Sequence, residues 1–206
     1  MNRNSLTLML SLLLSCPLGV AEAGELTLTR LTEQLATHLQ QRSSFVQLKT
    51  VKGLSRPLRS TGEVLVLPEQ GVLYMVQKPL VARYGIGRDK MLLEEAGRQK
   101  LLQANEAPWL RTLGRLLHSM LAGELAALEQ DFHCQLSPTA TGWQLLLTPR
   151  REPLSLALAE VQLTGGDTVQ QVIIRDRNGD QTELQFQALP AAAVTAAEQA
   201  LLDLIK

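Results

Sequence analysis

Side chains able to do chemistry are few in this sequence and poorly grouped. The three histidines, His38, His118 and His133, lie too far apart to give a recognised metal-ligand spacing. His133-Cys134 sets an imidazole beside a thiol, the parts of a nucleophile pair or of half a metal site. Neighbours along a strand point to opposite faces, so the two do not act on one atom, and no second pair completes a metal site. Gly85-Ile86-Gly87 lacks the rest of a phosphate-binding loop, and no Gly-x-Ser-x-Gly elbow occurs. The carboxylate pairs Glu94-Glu95 and Asp176/Asp180 have the right type for acid–base work. Their settings, a strand and a hairpin loop, read as solvated surface. The expectation is a protein that is not an enzyme and holds no metal or cofactor.

The start of the chain reads as an address. Asn2, Arg3 and Asn4 precede a Leu-rich run from Leu6 to Leu14, too short for the ~20 residues that span a bilayer. Pro17 and Gly19 break the run, and Ala21-Glu22-Ala23 has the small-x-small form of a cleavage site. Residues 1–23 thus read as a signal peptide, cut after Ala23, followed by one domain over 24–206. An alternative stands beside this: Leu13-Leu14-Ser15-Cys16 loosely resembles a lipobox, which would leave Cys16 as a lipidated N-terminus. No later run is apolar and long enough for a transmembrane helix, so the mature chain is expected to be soluble and exported. Cleavage at Ala23 removes Arg3 and Glu22, leaving 19 basic and 19 acidic side chains. Such balance argues against nucleic acid or a strongly anionic surface as the main partner. Cys134 would be the one cysteine left, so no internal disulfide is expected.

The elements that would position any site are mostly strands. Leu28, Leu31, Leu35 and Leu39 recur at helical spacing and predict an N-terminal helix of about four turns. Ser43-Ser44 is expected to end it, and Phe45-Val46-Gln47-Leu48-Lys49 to open the first strand. Ser60 to Pro79 predicts a hairpin, and Pro79 to Tyr84 a further extended segment. Met91 to Glu95 and Lys100 to Leu102 read as short strands parted at Gly97. Trp109 to Phe132 carries a wide apolar stripe, one helix or two divided near Gly114 and Gly123. Strands resume at His133 to Leu136 and Trp143 to Thr148, bridged by the turn-rich 137–142, and at Leu158 to Leu163. The hairpin from Val172 to Phe186 turns at Asn178-Gly179, two residues tolerant of positive φ. Val194, Ala197, Leu201 and Leu204 mark a short amphipathic end. The sum is a mainly β fold with a few helices.

The first hairpin poses the main question. A half-buried strand alternates apolar and polar residues, yet Val64 to Leu67 and Val72 to Val76 are apolar without a break, as are Leu145 to Leu147. Both faces must leave water. Helices can cover one; the other must be covered too or must enclose something apolar. A curved sheet with helices over its mouth would leave an aliphatic pocket suited to acyl chains.

Phe45-Val46-Gln47, then Gly62-Glu63-Val64-Leu65-Val66, then the run to Lys78-Pro79 resemble the opening of the LolA-like lipoprotein carriers. Leu145-Leu146-Leu147-Thr148-Pro149-Arg150 is similar to that family's mid-chain Leu-x-Pro-Lys/Arg strand end. The Asp176 to Phe186 hairpin resembles its Asp-x-x-Gly-x-x-Thr-x-x-x-Phe ending. The likeness runs from about Leu26 to Gln187. It implies an incomplete antiparallel β-barrel, or strongly curved sheet, with helices forming a lid over a hydrophobic cavity. It further implies a periplasmic, monomeric carrier that shields the acyl chains of a lipoprotein or lipid. An inner-membrane transporter would be the donor and an outer-membrane protein the acceptor. If Cys16 is acylated, the chain would instead be an outer-membrane-anchored acceptor or structural protein of the same fold.

Matching Pro68 to the family's inward-pointing Arg sets the parity of the hairpin. Val64, Val66, Val72, Tyr74 and Val76 would then face the cavity. Leu145, Leu147, Ile174 and Phe186 are the expected later-strand contributions, and Leu113, Leu117, Met120 and Leu121 the inner face of the lid. The chain departs from the main branch in three places. No Arg stands at Leu67 or Pro68, where main-branch carriers tie lid to barrel; Tyr74 replaces a Trp; and Asp89-Lys90 replaces an Asp-Gly turn. It resembles a divergent side branch, some of whose members are expected to serve pathways to unusual acyl or polyene lipids.

Overall fold

A computed structural model describes residues 26–37, 42–103, 119 and 125–206, with the backbone alone at 126 and 127. Eleven strands form one antiparallel sheet. In chain order they are β1 (Arg42–Thr50), β2 (Leu58–Leu67), β3 (Gly71–Lys78), β4 (Ala82–Ile86), β5 (Lys90–Glu95), β6 (Arg98–Gln103), β7 (Phe132–Thr139), β8 (Gly142–Pro149), β9 (Leu158–Gly165), β10 (Val169–Asp176) and β11 (Gln181–Ala188). Across the sheet they run β6-β5-β4-β3-β2-β1-β11-β10-β9-β8-β7. Two meanders are thus joined where β1 meets β11. The sheet is strongly curved and does not close, because β6 and β7 remain its edges.

Strands from both halves reach one apolar cluster. Val66, Val72 and Ile86 from one half and Trp143, Leu145, Leu163 and Val172 from the other share it with Leu31, Leu35, Leu125 and Leu128. One cluster fed by strands so far apart requires that this face be the concave one. Leu31 and Leu35 come from α1 (Leu28–Thr37), Leu125 and Leu128 from a 3-10 turn at Leu125–Gln130. The Gln34 side chain donates to the Gly166 carbonyl at 3.1 Å, as does Trp143 Nε1 at 2.7 Å, so α1 is tied to the β9–β10 turn.

The convex face is divided. Leu65, Leu73 and Leu92 are covered by Leu201, Leu202 and Ile205 of α3 (Ala196–Ile205). Burying side chains of this size stabilises by about 1.5–3 kcal/mol each. Over the other half, Gln144, Gln162, Gln171, Glu183 and Gln185 stand outward; Gln162 bonds to Gln144 and Gln171 to Glu183 across the strands, and Gln185 donates to Glu183 along β11. A four-residue helix, α2 (Leu154–Ala157), links β8 to β9. Among the described residues no helix is long and apolar enough to cross a membrane.

Four local expectations are corrected. Ser43-Ser44 does not end the helix: α1 stops at Thr37 and β1 already contains both serines, held by pairing with β2 and β11. Ser137-Pro138-Thr139 is strand, not turn, because β7 is an edge where a proline leaves no ladder bond unmet. Phe132 opens β7 rather than closing a helix. In α3 the buried stripe is Glu198, Leu201, Leu202 and Ile205, while Leu204 is 41% exposed. The expected helix over Trp109 to Phe132 otherwise lies mainly outside the described residues, as do Leu39 and residues 1–23.

Candidate functional site: the concave apolar face

Period-two alternation sorts the first hairpin between two environments. Antiparallel register places Val64 opposite Tyr74, Val66 opposite Val72 and Gly62 opposite Val76, all on the concave face. Leu65 opposite Leu73, with Leu67 and Met75, faces α3 instead. The unbroken apolar runs therefore serve two cores separated by one sheet.

The later strands add Leu145 and Leu147 from β8, Ile174 from β10 and Phe186 from β11 to the same concave cluster. Every expected site residue among those described is thus brought to one face. Leu113, Leu117, Met120 and Leu121 lie outside the described residues. Burial divides the set. Val64, Val66, Val72, Leu145 and Leu147 are buried against the rest of the cluster, whereas Tyr74, Val76, Ile174 and Phe186 are half-buried. The half-buried members are the ones an apolar ligand can touch without displacing core packing.

Three residues on this face, which the sequence offered only as parts of family motifs, prove to shape the site. Phe45 pairs with both Gly62 and Phe186, and its ring stacks on Tyr74 with centroids 4.2 Å apart. Gly62 makes this possible, since a Cβ there would lie 2.9 Å from the Phe45 ring and 1.9 Å from the Met75 carbonyl oxygen. Gln47, two residues on from Phe45, accepts from the Tyr74 hydroxyl at 2.8 Å. The Phe-x-Gln spacing carried this signal once β1 was taken as two-sided. Burial pushes the Tyr74 hydroxyl far above its ordinary range, and the Tyr84 hydroxyl, which donates to Glu95, is pushed up to about 12, mainly by burial. Neither carries charge near neutral pH.

The side chains considered for chemistry have other work. Cys134 faces the concave cluster and His133 the exposed side, so they diverge. Burial pushes the Cys134 thiol up to about 11, which leaves little thiolate for attack. Glu94 is not solvated surface as expected: Arg83 and Gln99 cover it on the convex side, and these bonds hold its carboxyl below the usual range. Asp180 accepts from the Lys52 backbone N–H at 2.9 Å and so joins two turns. Among the described residues no cluster of His, Cys, Asp and Glu could hold a metal ion.

The convex side holds a buried ion pair. Arg42 donates to Glu198 through both terminal nitrogens, at 2.7 and 3.0 Å, and to Glu63 at 3.3 Å. Glu198 also closes a capping box with Thr195 at the start of α3. The Arg42 bonds, ahead of the cap, hold the Glu198 carboxyl down to about 2.

The sequence pattern of one protein family, described as outer membrane lipoprotein carrier protein LolA-like, matches residues 20–205. No curated protein matches the chain. Among solved structures, the chain is similar to a LolA superfamily protein from Nitrosomonas europaea at 11% identity, covering 82% of this chain and 96% of that one, with a TM-score of 0.44. A candidate outer membrane lipoprotein-sorting protein domain from Vibrio parahaemolyticus shows 11% identity, coverages of 85% and 99%, and a TM-score of 0.43. The lipoprotein LppX of Mycobacterium tuberculosis shows 12% identity, coverages of 82% and 98%, and a TM-score of 0.42. At such identities and scores these likenesses carry no argument of their own, and the family rests on the match over residues 20–205.

Proposed function

This chain belongs to the LolA-like outer membrane lipoprotein carrier family, and from that premise we propose that it is a periplasmic carrier without chemistry of its own. It shields the acyl chains of a lipoprotein or lipid between an inner-membrane donor and an outer-membrane acceptor. Residues 1–23 are its export signal, and 24–206 its single, monomeric carrier domain. The observation that carries this reading is the half-buried apolar set on the concave face, Tyr74, Val76, Ile174 and Phe186, standing beside fully buried neighbours of the same cluster. Water disfavours a free acyl chain by about 0.8 kcal/mol per CH₂, so a long chain needs such a surface to move between membranes. Partial exposure suits a carrier, which must release what it holds.

The concave face supplies the floor, with Val64, Val66, Val72, Leu145 and Leu147 as its supporting layer, and Leu113, Leu117, Met120 and Leu121 as the inner side of a lid. The supporting layer is the wrong place for a test, because a charge at Val66 would enter the packed core and threaten the fold. Ile174→Glu and Phe186→Asp place a charge where an acyl chain would lie, and Gln185→Glu on the exposed convex side is the control. Uptake of a fluorescent fatty acid should weaken by about tenfold or more in the first two and stay unchanged in the third, with circular dichroism intact in all. Folded Ile174→Glu and Phe186→Asp proteins that load normally would sink the assignment.

A further inference from the structure

We propose that one rim of the sheet is a membrane-docking surface that seats on the headgroup layer of an anionic phospholipid bilayer. The strand order places the β1–β2, β3–β4, β8–β9 and β10–β11 connections at the same end of the sheet, together with the β5–β6 turn. Seven large apolar side chains are exposed among the described residues, and five of them sit in these connections or at their edge. Leu80 and Val81, 79% and 58% exposed, form the β3–β4 turn. Leu54 and Leu58 flank the β1–β2 turn and Leu156 lies in α2, each more than half exposed.

The tips are joined. Lys52 N–H donates to Asp180 Oδ1 at 2.9 Å, which fixes the β1–β2 turn to the β10–β11 turn. Arg177 in turn donates from its backbone N–H to Ala157 O at 2.8 Å and from Nε to Ser155 O at 3.1 Å, which fixes that turn to α2. Leu156, Leu54 and Leu58 are thereby held along one edge, with Leu80 and Val81 one strand pair further on.

Charge selects the occupant. The whole chain has 20 basic and 20 acidic side chains, but the four connections that carry the exposed apolar residues, 51–59, 78–81, 150–157 and 176–180, hold seven basic against three acidic, and the β5–β6 turn at the same end adds Arg98 and Glu95 in balance. Lys52, Arg56, Arg59 and Lys78 stand among the exposed leucines with no acid in their own two turns. Asp131 approaches Arg151 to 3.7 Å, and the excess remains positive. Single apolar side chains on separate tips, each beside Lys or Arg, fit the polar–apolar boundary of a bilayer, where leucine enters and the cation meets phosphate. A protein partner would need a continuous apolar centre depleted of charge, which this rim lacks. Val76 and Ile174 lie two residues from the rim ends of β3 and β10, so a docked rim would bring the proposed acyl-binding floor to the membrane. Docking itself does not depend on that reading.

The test is co-sedimentation of the purified protein with vesicles of phosphatidylcholine, with and without phosphatidylglycerol. Binding is expected to anionic vesicles, to weaken with salt as charge is screened, and to fall about tenfold or more in Leu80→Ser/Val81→Ser and in Arg56→Glu/Arg59→Glu. Leu101→Ser and Leu204→Ser, exposed elsewhere, should bind as the parent does. Fatty-acid uptake in the rim variants reports separately on the carrier reading and should stay normal. Equal binding by parent and rim variants, loss of binding in the two controls as well, or no binding to anionic vesicles would each overturn docking. The last of these leaves a protein as the rim's partner.

Discussion

Replacing Glu198 by glutamine isolates the charge that fastens α3 to the sheet. The amide oxygen of the introduced glutamine can still accept from Thr195, so the cap survives in outline while the bidentate pair with Arg42 loses its charge. The pair is mostly screened from water, with side chains 10% and 11% exposed, so little of the effect is lost to solvent. A carboxyl taken from 4.5 down to about 2 contributes, at about 1.4 kcal/mol per tenfold change in proton affinity, on the order of 3 kcal/mol. The folded carboxyl is the stronger acid. Its stabilisation is therefore complete above 4.5 and is lost as pH falls through about 2. Urea unfolding of the parent and Glu198→Gln should thus differ by about 3 kcal/mol at pH 7 and by only about 1.4 kcal/mol at pH 3. Taking the difference between the two proteins cancels every other carboxyl. A difference under about 1 kcal/mol at pH 7, or one that stays level from pH 5 to pH 3, would refute the reasoning.

Two substitutions test the packing around the same helix and hairpin. Leu202→Ala empties a fully buried position and should cost about 2–5 kcal/mol in urea unfolding, whereas Leu204→Ala should stay within about 0.5 kcal/mol. The reverse order would mean that α3 is rotated on the sheet. Gly62→Ala would put a Cβ 1.9 Å from the Met75 carbonyl, so β2 and β3 must part locally, and a loss of at least about 2 kcal/mol is expected by thermal or urea unfolding. A near-neutral Gly62→Ala would show that the close approach of β3 to Gly62 does not hold.

The sheet was readable because alternation, Asn178-Gly179 and the clustered turn residues are local signals. What the sequence concealed was non-local. Ser43 and Ser44 look like a helix end, yet two neighbouring strands supply ladder partners that override local preference. Pro138 looks like a turn, and only the knowledge that β7 is an edge makes it a strand residue. Leu202 and Leu204 are equally apolar, and which one meets Leu73 depends on how Arg42 orients the helix from 156 residues away. The candidate site followed the same division. Hairpin parity placed Val64, Val66, Val72, Tyr74 and Val76 on one face, while Phe45, Gln47 and Gly62 gain their roles only from β1 lying between β2 and β11.

On the proposed carrier reading, that parity also separates stability from binding. Odd-numbered Leu65, Leu73 and Met75 spend their burial on α3, and even-numbered Val76 and Tyr74, with Ile174 and Phe186, keep part of theirs open on the other side. A carrier needs this division. If the residues that hold the ligand also held the fold, each release would return apolar surface to water at about 25 cal/mol per Å² with nothing to compensate. On that reading the core does not rest on the ligand-facing set, because α3, the Arg42–Glu198 pair and the fully buried residues beside Tyr74 and Val76 are held by contacts of the chain with itself. Weakening α3 should therefore lower the unfolding free energy while leaving the affinity of the folded protein for a fatty acid unchanged. Charging Ile174 should weaken that affinity far more than it lowers the unfolding free energy, since the side chain is only half-buried.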